Sequence, residues 1–94
     1  MNTAAKGRKF EHKARALLEA SGFCVLRAAA SKGPADLIAW NTTSIRFVSV
    51  KSGSAYASAI EREVLLLMPR PPNASVEIWR WPTGGKHNPL IELL

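Results

Sequence analysis

Two runs of strand-forming residues, separated by a four-residue turn, constrain the fold of this chain more than any other feature. Asp36 to Trp40 (DLIAW) and Ile45 to Lys51 (IRFVSVK) are rich in β-branched and other apolar residues, and the NTTS sequence between them is typical of a turn. The pattern predicts an antiparallel hairpin. Because antiparallel partners run in opposite directions, we expect Asp36 and Lys51 at one end of the sheet.

The segments on either side of this hairpin predict two helices and three further strands. Residues 3–21 and 55–68 have helical composition, Gly22 suits a left-handed helix end, and Pro69 ends the second helix. The other strands are predicted at 23–28, 76–81 and 90–94. The order is therefore α-β-β-β-α-β-β, an α/β fold with helices flanking a mixed sheet, and we expect residues 1–94 to form a single domain.

The positive charge of the chain is concentrated near its start. The formal net charge is +6, and residues 1–32 hold seven Lys and Arg against two Glu. Such a field favours a polyanionic partner, and a nucleic acid is the expected one; the alternative is a solvated helix face that only aids solubility. The candidates for phosphate contacts are Arg8, Lys9, Lys13, Arg15, Arg27, Ser31 and Lys32.

Other classes of protein are less compatible with this composition. A single cysteine excludes an intramolecular disulfide and an all-cysteine zinc site. No run approaches the ~20 apolar residues of a membrane span, and no signal-peptide core is visible. We therefore expect a cytoplasmic protein without membrane contacts.

Asp36 and Lys51 are the residues from which the pattern predicts chemistry. Strand alternation places Phe47, Ser49 and Lys51 on one face of the sheet. An aspartate there can bind a divalent cation through oxygen, and a lysine can orient the attacking water and offset phosphate charge. Glu11, on the first helix, has two interpretations: an ion pair with Arg15 at i+4, or a third group of this site.

The same residues carry a resemblance to a known family. KGRKFEHKARALLEASGFCVLRAAASKGPADLIAW, followed by IRFVSVKSG, resembles the archaeal-type Holliday junction resolvases of the PD-(D/E)XK nuclease superfamily. The family pattern is a basic helix with a glutamate, then Pro-Asp, then a strand ending Glu-x-Lys. Glu11, Asp36 and Lys51 match its three charged positions. The resemblance spans roughly residues 6–68, and it implies a restriction-endonuclease-like fold.

The resemblance also implies a function. It predicts a divalent-metal-dependent DNA endonuclease, using Mg²⁺ or Mn²⁺, that selects branched DNA such as four-way junctions. It implies a homodimer as well, because a four-way junction needs two symmetric cuts. Trp79 and Trp81 share one face of the fourth predicted strand, and Val76 and Ile78 lie on the other. Because both faces are apolar, we expect a second subunit to cover this region.

Ser49 departs from the family pattern, because the family has the glutamate of Glu-x-Lys there. A hydroxyl cannot supply the negative charge with which a carboxylate binds a magnesium ion. Three hypotheses are open. In the first, the acid has migrated to the following helix, as Glu61 or as Glu63, of which Glu63 is the better match to the family.

The other two hypotheses do not need a migrated acid. In the second, Glu11, Asp36 and the Val50 carbonyl hold the metal ion more weakly. In the third, the protein is a catalytically inactive module that binds nucleic acid on the same fold. The candidate catalytic residues are thus Glu11, Asp36, Ser49, Lys51 and Glu63, and the candidate metal ligands are Asp36, Glu11, Val50 and Glu63.

Overall fold

The computed structural model describes residues 3–28, 35–52, 58–81 and 88–94, with side chains from residue 8 onward except that of residue 52. These ranges form two helices and five strands in the predicted order. None of these helices is long and apolar enough to cross a membrane. The elements are α1 (Thr3–Ala20), β1 (Cys24–Arg27), β2 (Leu37–Trp40), β3 (Ile45–Ser52), α2 (Ala59–Leu66), β4 (Ala74–Trp81) and β5 (Leu90–Leu93).

The five strands form one mixed sheet in the order β1-β2-β3-β4-β5. Strands β1, β2 and β3 are an antiparallel meander, which includes the predicted hairpin of β2 and β3. Strand β4 runs parallel to β3 over eight residue pairs, and β5 runs antiparallel to β4. A parallel pair needs a crossover connection, and α2 lies in the segment that joins β3 to β4.

Helix α1 covers one face of the sheet through residues spaced four apart. Phe10, Ala14 and Leu18 are buried to 3%, 0% and 0% exposure, because a four-residue step returns to the same face of a helix. The methyl group of Ala14 lets the helix approach the sheet closely. The core beneath α1 contains Leu37, Ala39, Val48, Trp79 and Trp81.

The end of α1 confirms the prediction made for Gly22. This glycine has φ of 90°, a left-handed conformation that costs other residues energy. The Phe23 N–H donates to the Leu18 carbonyl at 3.1 Å, and the Gly22 N–H donates to the Glu19 carbonyl at 3.0 Å. These two bonds form a Schellman motif, which turns the chain directly into β1.

Helix α2 lies on the opposite face of the sheet and is shorter than the predicted span of 55–68. It begins after Ser58 and ends at Leu67, whose N–H donates to the Glu63 carbonyl. Leu65 is its buried contact and packs with Val76 and Ile78 of β4. Residues 55–57 lie outside the described ranges.

Trp79 and Trp81 do not need the second subunit that was expected to cover this region. Their side chains are 3% and 2% exposed, and they pack against Phe10 beneath α1 of the same chain. The Phe10 and Trp81 rings lie 5.4 Å apart between centroids. The two-sided apolar pattern of β4 arises because α1 covers one face of the sheet and α2 covers the other.

A buried acid joins β3 and β4 beneath α1. Glu77 is 2% exposed and accepts two hydrogen bonds from the Arg46 guanidinium, at 2.8 and 2.7 Å. The Ser75 hydroxyl and the Trp79 indole N–H also donate to its carboxylate, at 2.6 and 2.8 Å. Burial raises the pKa of Glu77, but these donors outweigh burial and hold the pKa below its ordinary value of 4.5.

Candidate active site

Asp36 lies immediately before β2, and its backbone is held by both neighbouring strands. Its N–H donates to the Val48 carbonyl at 2.8 Å, and its carbonyl accepts from the Ala28 N–H at 2.9 Å. The carboxylate accepts a hydrogen bond from the Val50 N–H at 2.7 Å. The Asp36 carboxylate is therefore fixed at the edge of β3, next to the backbone of the residue that precedes Lys51.

Lys51 leaves β3 on the face that carries α2. Its ammonium group donates to the Glu61 carboxylate at 2.5 Å, so it links the end of β3 to the first turn of α2. The Lys51 side chain is 22% exposed, and that of Glu61 is 47% exposed. The charge of Lys51 also lowers the pKa of Asp36, which places the two residues in one electrostatic site.

The pKa of Asp36 is raised above its ordinary value of 3.8. Burial is the main cause, and the negative charges of Glu11 and Glu61 add to it. The Val50 hydrogen bond and Lys51 act in the opposite direction without cancelling the shift. A nearby cation would stabilise the ionised form of such a carboxylate. Acids with a perturbed pKa of this kind cluster at functional sites.

Glu11 pairs with a residue of β1 and not with a neighbour on its own helix. Its carboxylate accepts from the Arg27 guanidinium of β1 at 2.8 Å, whereas Arg15 bonds to Glu19 at 3.2 Å. The interpretation of Glu11 as an ion-pair partner of Arg15 is therefore wrong, because α1 packs across the sheet and brings Arg27 within reach. Arg27, which was predicted to contact phosphate, has its guanidinium bonded to this acid.

The two candidate acids of α2 lie on different faces of the helix. Glu61 and Glu63 are two residues apart, which corresponds to a rotation of about 200° around the axis. Glu61 contacts Lys51, and its negative charge contributes to the raised pKa of Asp36. The exposed Glu63 side chain makes no hydrogen bond or ion pair to another described residue. The choice of Glu63 over Glu61 made from the sequence thus has no support in this geometry.

Ser49 is 2% exposed and lies on the strand between Val48 and Val50. It adds no charge to the site. Within the described ranges, no three His, Cys, Asp or Glu side chains stand close enough together to hold a metal ion as they are placed. Glu11 is turned toward Arg27, and Glu61 is turned toward Lys51.

The donors around Asp36 nevertheless fit a hard divalent cation in chemical type. The Asp36 carboxylate, the Val50 carbonyl and a glutamate carboxylate are oxygen ligands, which Mg²⁺ and Mn²⁺ prefer. The Asp36 side chain has one oxygen bonded to Val50 N–H, and its charge is only partly compensated. Glu11 and Glu61 would each have to leave an ion pair to become a ligand.

Three of the four predicted DNA-binding residues of α1 lie on its outer side. Arg8, Lys9 and Arg15 are exposed, whereas Lys13 is half-buried with its ammonium 5.8 Å from the centre of the Phe10 ring. Ser31 and Lys32, also predicted to contact DNA, lie outside the described ranges. The outer side of α1 is therefore a basic surface on the helix that carries Glu11.

Comparison with known proteins identifies the family of this chain. A family model described as "Archaeal holliday junction resolvase (hjc)" matches residues 2–68. The chain belongs to the archaeal Holliday junction resolvase family. The match runs through α1 and the meander to the end of α2, so it contains Glu11, Asp36, Lys51 and Glu61.

A solved structure shares the fold. The Hjc resolvase of Archaeoglobus fulgidus, from a structure at 1.6 Å described as a Holliday junction resolvase from an archaeal hyperthermophile, superimposes with a TM-score of 0.78. The two sequences are 24% identical, and the alignment covers 94% of this chain and 72% of the other. No curated protein matched the sequence. The mixed sheet flanked by helices, predicted from the sequence, is confirmed, and the family is one of nucleases that act on DNA junctions.

Sequence reasoning missed one contributor to the site, Ser58. It caps α2, and its hydroxyl accepts a hydrogen bond from the Glu61 N–H at 3.1 Å. The signal was present in the sequence, because Ser58-Ala59-Ile60-Glu61 has the Ser-x-x-Glu pattern of a capping box. That pattern would have placed the helix start at Ser58 and singled out Glu61.

Proposed function

We propose that this protein is a divalent-metal-dependent endonuclease that cuts branched DNA, with a preference for four-way junctions. The observation that carries the proposal is the Asp36 carboxylate, bonded to Val50 N–H and placed in the electrostatic field of Lys51. This arrangement occurs in a chain of the archaeal Holliday junction resolvase family. Action on DNA agrees with the cytoplasmic location predicted from the sequence.

Each residue of the site has a separate task in this proposal. Asp36 and the Val50 carbonyl would hold the cation, Mg²⁺ or Mn²⁺, together with a glutamate. When bound, the cation supplies positive charge to the phosphate oxygens and lowers the pKa of a coordinated water. Lys51 orients the attacking water and offsets the charge that develops on the phosphate.

The basic surface of α1 holds the DNA backbone in this proposal. Arg8 and Lys9 are exposed on the same helix as Glu11, which itself acts on the pKa of Asp36. Phosphates bound by these side chains would therefore lie near the site. Such contacts position the duplex without reading its sequence, so selectivity would come from the shape of the DNA.

The experiment is a cleavage assay with a labelled four-way junction and a linear duplex of matched sequence. Each substrate is incubated with Mg²⁺, Mn²⁺ or EDTA, using the wild-type protein and Asp36→Asn. The asparagine keeps an oxygen that can accept from Val50 N–H but removes the charge. Metal-dependent nicking that is lost in Asp36→Asn supports the proposal, and preferential cutting of the junction supports its resolvase character.

A second function is favoured by one observation, the replacement of the motif acid by Ser49, which is buried and uncharged. In this alternative, the fold binds DNA junctions without cleaving them. Salt-sensitive binding to the junction with no cleavage under any metal condition would establish it and would refute the nuclease proposal.

We also propose that the protein acts as a homodimer through α2 and β5. Ile60, Val64 and Leu67 recur at i, i+4 and i+7 on α2 and are 75%, 48% and 70% exposed. Leu90 of β5 is 53% exposed and shares one face of the strand with Glu92. The Arg62 side chain of α2 forms a bidentate pair with Glu92, so α2 and this face of β5 are adjacent and their exposed apolar residues lie in one region of the surface.

A second copy of the chain is the occupant that suits this surface, because two symmetric cuts require two identical sites. Val64→Lys should convert the dimer to a monomer in sedimentation velocity, since it places a charge at the centre of the apolar stripe. Leu26→Lys, an equally exposed apolar residue on β1, is the matched control and should leave the dimer intact. A monomeric wild-type protein at micromolar concentration would refute the assignment.

A further inference from the structure

Ser49 leaves the site without an acid at the position where the family pattern has one. The side chain is almost completely buried, at 2% exposure, on β3 between two valines. It is two residues before Lys51, and strand alternation places both on the same face of the sheet. A carboxylate that replaces it functionally must therefore come from the element that covers this face, which is α2.

Glu61 is placed by its own helix for this task. It occupies the third position of α2, where its N–H donates to the Ser58 hydroxyl at 3.1 Å. Ser58 and Glu61 occupy the two ends of the Ser-x-x-Glu pattern of a capping box. The cap fixes the first turn of α2 and, with it, the position from which the Glu61 side chain extends.

Contacts outside the helix direct Glu61 toward the site. Its carboxylate accepts from the Lys51 ammonium at 2.5 Å, across ten residues of sequence. Lys51 directly follows Val50, whose N–H donates to the Asp36 carboxylate at 2.7 Å. Glu61 therefore stands next to the motif lysine, at the end of β3 where the motif aspartate is bound.

Glu63 provides an internal comparison. It has the same side chain, lies on the same helix and is also exposed. A rotation of about 200° separates it from Glu61, so it cannot face the site while Leu65 remains buried against β4. Leu65 follows Glu61 by four residues, which puts Glu61 and Leu65 on the same side of the helix.

We propose that Glu61 supplies the carboxylate that Ser49 lacks and completes, with Asp36 and the Val50 carbonyl, the cation site of this protein. The assignment rests on the proposed metal-dependent function. Because Glu61 is bonded to Lys51 in this structure, cation binding requires that it exchange the ammonium for the cation. The exchange releases Lys51 to act on the water and the phosphate.

Metal binding measured without DNA tests this assignment. Mn²⁺ is titrated into the wild-type protein and into Glu61→Gln, Glu63→Gln and Asp36→Asn by isothermal titration calorimetry. Glu61→Gln should weaken Mn²⁺ binding at least about tenfold, by analogy with losses of groups that support metal sites. Glu63→Gln, the same change of charge on the other face of α2, should stay within about twofold of wild type.

A rescue experiment gives an independent readout. Ser49→Glu in the Glu61→Gln background should recover Mn²⁺ affinity and junction cleavage, because it returns an acid to β3 beside Lys51. The same substitution in the wild-type protein should add little. Circular dichroism of every variant verifies that the fold is retained.

The outcomes separate the two proposals. Mn²⁺ binding that depends on Asp36 but is equal in wild type and Glu61→Gln would overturn the role of Glu61 and leave the metal-dependent nuclease standing. Weaker binding in Glu63→Gln than in Glu61→Gln would also overturn it. No Asp36-dependent binding of Mn²⁺ in the wild type would refute the metal site and, with it, this assignment.

Discussion

Replacement of the buried Glu77 by glutamine should destabilise the protein more than any other exchange of one carboxylate for an amide. Glu77 accepts four hydrogen bonds and is 2% exposed, and its partner Arg46 is 23% exposed. The glutamine keeps the shape but places an NH₂ group among donors. Breaking a buried pair by removing one charge costs roughly 3–5 kcal/mol, because the other charge stays without compensation.

The structure places the expected cost at the lower end of this range. Water reaches part of the Arg46 guanidinium, which also stacks on the Trp79 and Phe23 rings at 5.4 and 5.2 Å. We therefore expect a loss of about 3 kcal/mol in the free energy of unfolding. For a domain of this size, that corresponds to a fall of roughly 12–24 °C in the midpoint of thermal unfolding.

The assay is thermal and urea unfolding followed by circular dichroism, with Glu92→Gln as the matched control. Glu92 also forms a bidentate pair with an arginine, Arg62, but both side chains are at least 40% exposed. Exposed pairs contribute little to stability, so the control should unfold close to wild type. Equal midpoints for the two variants would refute the reasoning that burial makes the Glu77 network stabilise the fold more than an exposed pair does.

The pH dependence gives a second check on Glu77. Its pKa in the folded protein is lower than the ordinary 4.5, so its contribution to stability is present above that value. The contribution is lost as the pH falls through the lowered pKa. The difference between wild type and Glu77→Gln should accordingly shrink below about pH 4.5, and a difference that grows there would contradict the assigned shift.

Three further predictions concern the site and the DNA surface. Asp36→Asn should raise the thermal midpoint at pH 7, because the raised pKa of Asp36 means that its ionised form lowers the stability of the fold. The gain should vanish as the pH is lowered toward that pKa, and a variant less stable than wild type would contradict the shift. Arg8→Gln combined with Lys9→Gln should reduce the salt dependence of junction binding by about two in the slope of log K against log salt, measured by fluorescence anisotropy, whereas an unchanged slope would exclude both side chains from phosphate contact. Ser58→Ala should lower the free energy of unfolding in urea by about 1 kcal/mol and should also weaken Mn²⁺ binding. Ser58→Thr should restore both properties. A loss of stability alone would mean that Ser58 only caps the helix.

The sequence by itself predicted the features that depend on residues close together in the chain. The helical composition of residues 3–21 predicted α1, and Gly22 marked its end. The hairpin pattern placed Asp36 and Lys51 at one end of the sheet. These features depend on local periodicity and turn chemistry, which act over a few residues and can be read directly from the chain.

The partners of charged side chains were decided only by the tertiary structure. Glu11 was compatible with Arg15 by spacing, yet it bonds to Arg27, sixteen residues away, because α1 crosses the sheet above β1. Glu63 was preferred to Glu61 from the sequence, yet the burial of Leu65 turned Glu61, and not Glu63, toward Lys51. Such pairings depend on how a helix is rotated on its sheet, which no local pattern encodes.

The apolar faces of β4 show the same division. Alternation along the strand correctly separated Trp79 and Trp81 from Val76 and Ile78, since period-two spacing follows from the geometry of one strand. It could not tell whether a helix of the same chain or a second subunit covers each face. Only packing decided that α1 lies over the tryptophans and α2 over Val76, because burial is a property of the assembled elements and not of any one of them.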